Sequence, residues 1–140
     1  SDVCSSDLLI LITVAALALN GCAVIDYYRM AKWDNNEYMI VNEIRTEAQF
    51  GVTKCASRLD VLPYVDYTYR KTVELNNYSG NIPRNEEATK MASELLAIVK
   101  GMKDRYASGE EVSQKYCELK FNSIDTNTST IQRALGAKPR

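Results

Sequence analysis

Apolar residues return every three or four positions in four separate stretches of the chain, the spacing that lines one face of an α-helix. The first stretch opens at Asp34-Asn35-Asn36-Glu37, which has the form of a capping box: an acceptor at the N-cap and a carboxylate three residues on. Val41, Ile44, Ala48, Val52 and Cys55 then form an inner face between polar Asn42, Glu43, Arg45, Glu47 and Lys54. Gly51 interrupts this helix at a cost of about 1 kcal/mol relative to alanine, which points to the close approach of another helix. A second helix is predicted from near Asp60, with Pro63 in its first turn, where the missing N–H is no loss. Leu62, Val65, Tyr69, Thr72 and either Val73 or Leu75 give its inner face, and the turn formers of 76–83 end it. The third opens at Asn85, with Glu86 and Glu87 at the positive end of the helix dipole. Its stripe is Ala88, Met91, Leu95, Ile98 and Met102, closed by Ala107-Ser108-Gly109. The fourth has two candidate caps, Ser108 with Glu111 three residues on, or Ser113. Cys117, Phe121, Ile124, Thr128, Ile131 and Leu135 follow, alternating four and three residues apart, and Gly136 marks the stop. Lys138-Pro139-Arg140 is expected to be loose.

Four amphipathic helices with short connections predict an all-α fold, an up-down-up-down four-helix bundle over 34–140. Tyr64-Val65-Asp66-Tyr67-Thr68-Tyr69 has strand propensity, but no partner strand accompanies it. No repeat or low-complexity segment stands out.

A different pattern precedes the bundle. Residues 8–19 are an apolar run of about a dozen residues, the length of a secretory h-region and short of the roughly 20 that a spanning helix needs. The run ends at Leu19-Asn20-Gly21-Cys22, with an aliphatic residue, a tolerated polar one, a glycine and then cysteine. This resembles the lipobox of bacterial lipoprotein precursors; the plainer alternative is an ordinary secretory signal or an uncleaved anchor with a chance cysteine. The resemblance implies export, diacylation of the Cys22 sulfur, cleavage after Gly21 and acylation of the new amino terminus. A signal peptide should open with Lys or Arg, and no basic residue precedes Arg29. Ser1-Asp2-Val3-Cys4-Ser5-Ser6-Asp7-Leu8 resembles one reading frame of a sequencing adapter, which would account for that gap. The expected organisation is thus 1–8 as scar, 9–21 as signal peptide, 22–33 as lipidated tether and 34–140 as bundle. The last part of the tether, 23–33, is expected as a linker or a frayed lead-in helix. Tyr27, Tyr28 and Trp33, with Arg29 and Lys32, suit either a lipid headgroup layer or the base of the domain.

Composition changes the picture in two ways. Setting Asp2 and Asp7 aside leaves 16 of the 18 acids against 17 bases, a formal charge of +1. Near-neutral charge without a basic block argues against a nucleic-acid partner. With Cys4 read as scar and Cys22 as lipid carrier, Cys55 and Cys117 remain, and an even pair in an exported chain reads as a disulfide. The chain has no His and no Cys-x-x-Cys, which argues against a zinc site, and no metal or cofactor is expected. In the predicted topology the first helix ends where the fourth begins, so the two thiols come within reach.

Candidate chemistry is sparse. Without His there is no Ser-His-Asp or Cys-His pair, and no Ser-x-x-Lys, glycine-rich phosphate loop or dinucleotide fingerprint occurs. No catalytic residue is assigned. Glu86-Glu87 and Glu110-Glu111 sit at helix starts, where capping explains them. Two surfaces carry interaction chemistry: the tyrosines Tyr64, Tyr67, Tyr69 and Tyr78, with Tyr106 and Tyr116 elsewhere, and the polar residues Asn122, Ser123, Asp125, Thr126, Asn127, Thr128, Ser129 and Thr130. Tyrosines also pack in bundles with their hydroxyls at the rim, and a polar helix face is commonly just solvated. The resulting expectation is a non-enzymatic interaction module held to a bilayer through acylated Cys22, with a protein partner of unknown identity. Ala23 rather than Asp after Cys22 implies, by the resemblance, the periplasmic face of the outer membrane, with the inner membrane as the other address. The alternatives are a phage-encoded lipoprotein acting in lysis or superinfection exclusion, and either an enzyme, which would need a deep pocket with convergent carboxylates or a Lys of lowered pKa, or an inhibitor of a periplasmic hydrolase with 76–83 as its protruding loop.

Overall fold

The structure is a computed structural model that describes residues 30–140. The adapter-like segment, the signal run and Cys22 lie outside the described residues. Four helices form, in order α1 (Asn35–Gly51), α2 (Arg58–Gly80), α3 (Glu86–Ala107) and α4 (Gln114–Gly136), with a short 3-10 turn, Val52–Lys54, after α1. Each helix packs on its neighbours in sequence, and α1 packs on α4, while the pairs α1/α3 and α2/α4 do not meet. The helices therefore stand at the corners of a square and alternate in direction, the up-down-up-down bundle predicted from the periodicity.

Three of the four helix starts, those of α1, α2 and α4, are set by a side-chain acceptor. Asp34 caps α1 by accepting the Glu37 backbone N–H at 2.8 Å. Ser57 caps α2 through the Asp60 N–H, which moves the start to Arg58 and leaves Pro63 in the second turn instead of the first. Of the two caps available to α4, Ser113 is used, accepting the Tyr116 N–H at 3.1 Å. Gly109, with φ of 78°, turns the chain between α3 and α4 in a conformation that favours glycine. Helix α2 runs through 76–80, where turn-forming residues predicted its end, and stops only at Asn81. The tertiary contacts of Tyr78 and Ser79, described below, outweigh the weak helix propensity of this asparagine-rich stretch.

The core is read most directly on α4, where Cys117, Phe121, Ile124, Thr128, Ile131 and Leu135 are all buried, as their spacing predicts. On α1, Val41, Ile44 and Ala48 are buried as predicted, joined by Ile40 and Glu37. On α3, Ala88, Leu95 and Met102 are buried, while Met91 and Ile98 flank the core and Ala92, Val99 and Tyr106 fill it. The inner face of α2 is Val61, Val65, Thr68, Thr72, Leu75 and Ser79, so Leu62 and Tyr69 move to its margin. Each fully buried aliphatic or aromatic side chain contributes about 1.5–3 kcal/mol.

Gly51 meets the expectation of a close approach: a Cβ there would lie 2.5 Å from Cζ of the buried Phe121. One turn on, Cys55 and Cys117 form a disulfide, with Cα atoms 5.6 Å apart. The bridge ties the end of α1 to the start of α4 and marks one pole of the bundle. At the opposite pole the chain enters, α2 turns into α3, and α4 ends.

Candidate functional site

Helix α1 carries Met39, Glu43, Thr46 and Phe50 at spacings of four and three, hence on one face. Met39 and Phe50 are 47% and 57% exposed. Helix α2 carries Tyr64, Tyr67, Lys71, Glu74 and Tyr78 at the same kind of spacing. Two sets of contacts bring these stripes together. The Lys71 ammonium lies 2.8 Å from Glu43 and 2.9 Å from Glu74. The Tyr78 hydroxyl donates to the Asp34 carboxylate at 3.1 Å and accepts from Asn36 Nδ2 at 3.3 Å. Counting back along α2 and forward along α1 from the Glu43–Lys71 pair sets Phe50 level with Tyr64 and Glu47 level with Tyr67. The α1/α2 seam is therefore aromatic near the disulfide pole, ionic at its middle and hydrogen-bonded at the far pole.

This arrangement sorts the residues singled out from sequence. Tyr64 and Tyr67 are half-buried along the seam, with the Arg70 guanidinium 5.9 Å from the Tyr67 ring centre. Tyr78 shares the seam, but its hydroxyl is engaged with α1. Phe50, exposed and level with Tyr64, was not among the residues the sequence pointed to. An aromatic flanking a core glycine has no local signal until the helix register is known.

The polar face of α4 stands at the diagonal corner from α2 and is a separate surface. Asp125 belongs to the α1/α4 seam: it accepts from Arg45 Nε at 2.8 Å and Gln49 Nε2 at 3.0 Å. Arg45 also donates to Gln132 Oε1 at 2.9 Å, and Gln132 donates to Asn42 at 3.1 Å. Thr126 donates its hydroxyl to the Asn122 carbonyl, and Asn127 donates to the Ser123 carbonyl, bonds made within the helix. Asn122 and Thr126 are exposed on the outer face of α4, Asn127 is half-buried at its flank, and Asp125 fastens that helix to α1.

The pole where the chain enters holds the least expected chemistry. The Glu37 carboxylate, which local pattern assigns to a capping box, turns inward and is 1% exposed. Its Oε1 accepts from Ser79 Oγ and Asn85 Nδ2, both at 2.7 Å, and its Oε2 accepts from Lys138 Nζ at 2.7 Å. Lys138 also donates to Asn85 Oδ1 at 2.5 Å, and its side chain is 7% exposed. The C-terminal tripeptide expected to be loose is thus anchored, because a buried carboxylate requires a counter-charge. Arg140 lies over the Trp33 ring at 5.4 Å, and Trp33 packs on Tyr38 at 4.9 Å. Trp33 therefore belongs to the base of the domain. Arg84, in the left-handed region at φ of 61°, presents its carbonyl to the Ala31 N–H at 3.0 Å.

Hollows lie on the surface of the described residues. One of about 660 Å³ runs along Arg70, Val73, Glu74, Tyr78 and Ile82 on the outer side of α2. Another, of about 510 Å³, lies at the disulfide pole between Arg58, Tyr106, Glu110 and Glu111. There Arg58 donates to the Tyr106 carbonyl at 2.6 Å, and Glu110 is paired with Arg105 at 2.7 Å. Burial raises the Tyr106 hydroxyl above the usual tyrosine range, with the Arg58 charge opposing the shift. Glu43 and Glu74 hold the Lys71 ammonium well above the usual lysine range, the wrong direction for a nucleophile or base. Among the described residues, no three His, Cys, Asp or Glu side chains are grouped to hold a metal ion, and no helix is long and apolar enough to cross a membrane. With the extension of α2, the loop between α2 and α3 contracts to 81–85, and Asn85 within it is buried. The inhibitor reading placed its loop at 76–83, of which 81–83 lie outside the helices. No protein-family model matches the chain, and no curated protein or solved structure does either.

Proposed function

We propose that this chain is a lipid-anchored, non-enzymatic interaction module, tethered through Cys22 to the periplasmic face of a bacterial outer membrane. The observation that carries the interaction half is the α1/α2 seam, where exposed Phe50 stands level with half-buried Tyr64, and half-buried Tyr67 follows one turn along α2. Aromatic side chains lose little conformational entropy on binding and bury large areas, so a rigid stripe of them suits a protein partner. The address rests on the lipobox-like residues 19–22 and on the paired cysteines, whose bridge fits an oxidising compartment. Two or more acyl chains on Cys22 give stable anchoring where one does not.

The test is a pull-down of the acylated chain from detergent-solubilised membranes, beside a Cys22→Ser control and a Phe50→Ala/Tyr67→Ala double variant. One stoichiometric partner is expected with the parent chain, with affinity reduced about tenfold or more in the double variant. An unmodified amino terminus at a position other than Cys22, found by mass spectrometry, would refute the address. A partner retained in full by the double variant would refute the seam.

A further inference from the structure

Asn85 and Ser79 orient the Glu37 carboxylate before any cation is considered. Their three attachment points come from separate elements: the first turn of α1, the end of α2 and the N-cap of α3. Asn85 Nδ2 donates to Glu37 Oε1 at 2.7 Å and to the Ser79 carbonyl at 3.2 Å. With both amide hydrogens committed, Asn85 Oδ1 faces away as an acceptor. Glu37 Oε2 is the second acceptor, since Oε1 is already taken by Ser79 and Asn85. The bundle so presents one negative charge and two converging acceptor oxygens, in a setting where an unpaired charge is costly.

The group that fills this place arrives from beyond the end of α4, on a residue whose backbone N–H donates to the Leu135 carbonyl. Lys138 Nζ meets both oxygens, at 2.7 and 2.5 Å. We propose that the Glu37–Asn85–Ser79 cluster is a receptor pocket for a primary ammonium on an aliphatic stem, and that Lys138 occupies it in cis as an exchangeable latch. The pocket takes N–H donors of small cross-section; a quaternary ammonium brings charge but no hydrogen to either oxygen. Its occupant controls the neighbouring stack, because Arg140, two residues on, covers Trp33, the single tryptophan of the chain. Opening the latch frees the tail and uncovers Trp33 where the chain joins the bundle.

Chemical rescue tests this on the full chain. Lys138→Ala should lower the melting temperature by roughly 10 °C, as expected for breaking a buried pair. Propylammonium at a concentration several-fold above its dissociation constant should restore a few degrees to this variant, saturably, and shift Trp33 fluorescence toward the parent value. Tetramethylammonium at equal ionic strength should restore nothing, and the parent chain should respond to neither. In Glu37→Gln/Lys138→Ala the rescue should vanish. Should Lys138→Ala not fold unaided, refolding of this variant that depends on propylammonium and not on tetramethylammonium is the supporting result. Equal effects of the two cations, equal shifts in parent and variant, or no propylammonium response of Lys138→Ala, folded or refolding, would overturn the proposal.

Discussion

Gly51 shows how one residue's missing side chain decides the approach of two helices. Its α-helical backbone asks for no special conformation, and its cost in propensity is about 1 kcal/mol relative to alanine. Space is what requires it: a Cβ would meet Phe121 at 2.5 and 2.6 Å, on a ring that is fully buried. The ring cannot swing aside, since Phe121 follows Cys117 by one turn and the disulfide fixes that turn against the end of α1. Gly51→Ala is therefore expected to destabilise the bundle by about 1–3 kcal/mol despite alanine's better propensity. Denaturant unfolding measures this, and Gly51→Ala/Phe121→Leu should recover part of the loss, because the two residues share one space. A more stable Gly51→Ala variant would mean that α1 and α4 stand further apart than described.

At the scale of elements, legibility in the sequence followed residue type. The core of α4 was readable throughout because its stripe is apolar apart from Thr128, whose hydroxyl bonds the Ile124 carbonyl in its own helix. The core of α2 was only partly readable: Thr72, placed on the inner face from the pattern, donates to the Thr68 carbonyl at 2.7 Å in the same way, but buried Thr68 and Ser79 are polar types that the pattern passed over, while Leu62 and Tyr69 sit at the margin. The polar pole was illegible for a different reason. Glu37 and Lys138 lie 101 positions apart, and nothing local in either segment announces the pair. Local pattern gave Glu37 a capping role that its burial excludes, whereas Asp34 caps α1 as the pattern implied. The proposed interaction surface was half legible: the tyrosines could be named, but Phe50 joined them only through the α1/α2 register. Helix α3 offers a test of this distinction between local and tertiary roles. At an ordinary N-cap, Asn and Asp are close to interchangeable. Asn85 makes no capping bond through its side chain and instead donates to Glu37. Asn85→Asp should consequently cost on the order of 3 kcal/mol, by removing that donor and placing a second carboxylate beside a buried one. A near-neutral result in thermal melts would show that the cap position outweighs the cluster.

For the whole molecule, the two poles are secured by different chemistry, one covalent and one ionic, and both join α1 to α4. The disulfide closes a loop of 62 residues that contains α2 and α3 entire, so in the unfolded chain it restrains more than half of the bundle. On the chain-entropy account a loop of that length is worth on the order of 4 kcal/mol, a large share of the 5–15 kcal/mol by which a domain is usually stable. The ionic clasp closes the other pole without restraining the unfolded chain, because Glu37 and Lys138 separate and hydrate once the bundle opens. The two fastenings should therefore respond differently to reduction. Treatment with dithiothreitol, or Cys55→Ser/Cys117→Ser, is expected to lower the unfolding free energy by about 4 kcal/mol while leaving the helical circular dichroism of the folded chain in place. Trp33, at the ionic pole, should keep its fluorescence in the reduced folded state, since Arg140 and Tyr38 hold it far from the bridge. Loss of the Trp33 signal together with the bridge, before global unfolding, would show that the poles are coupled and that α1 and α4 do not pack independently of the covalent tie.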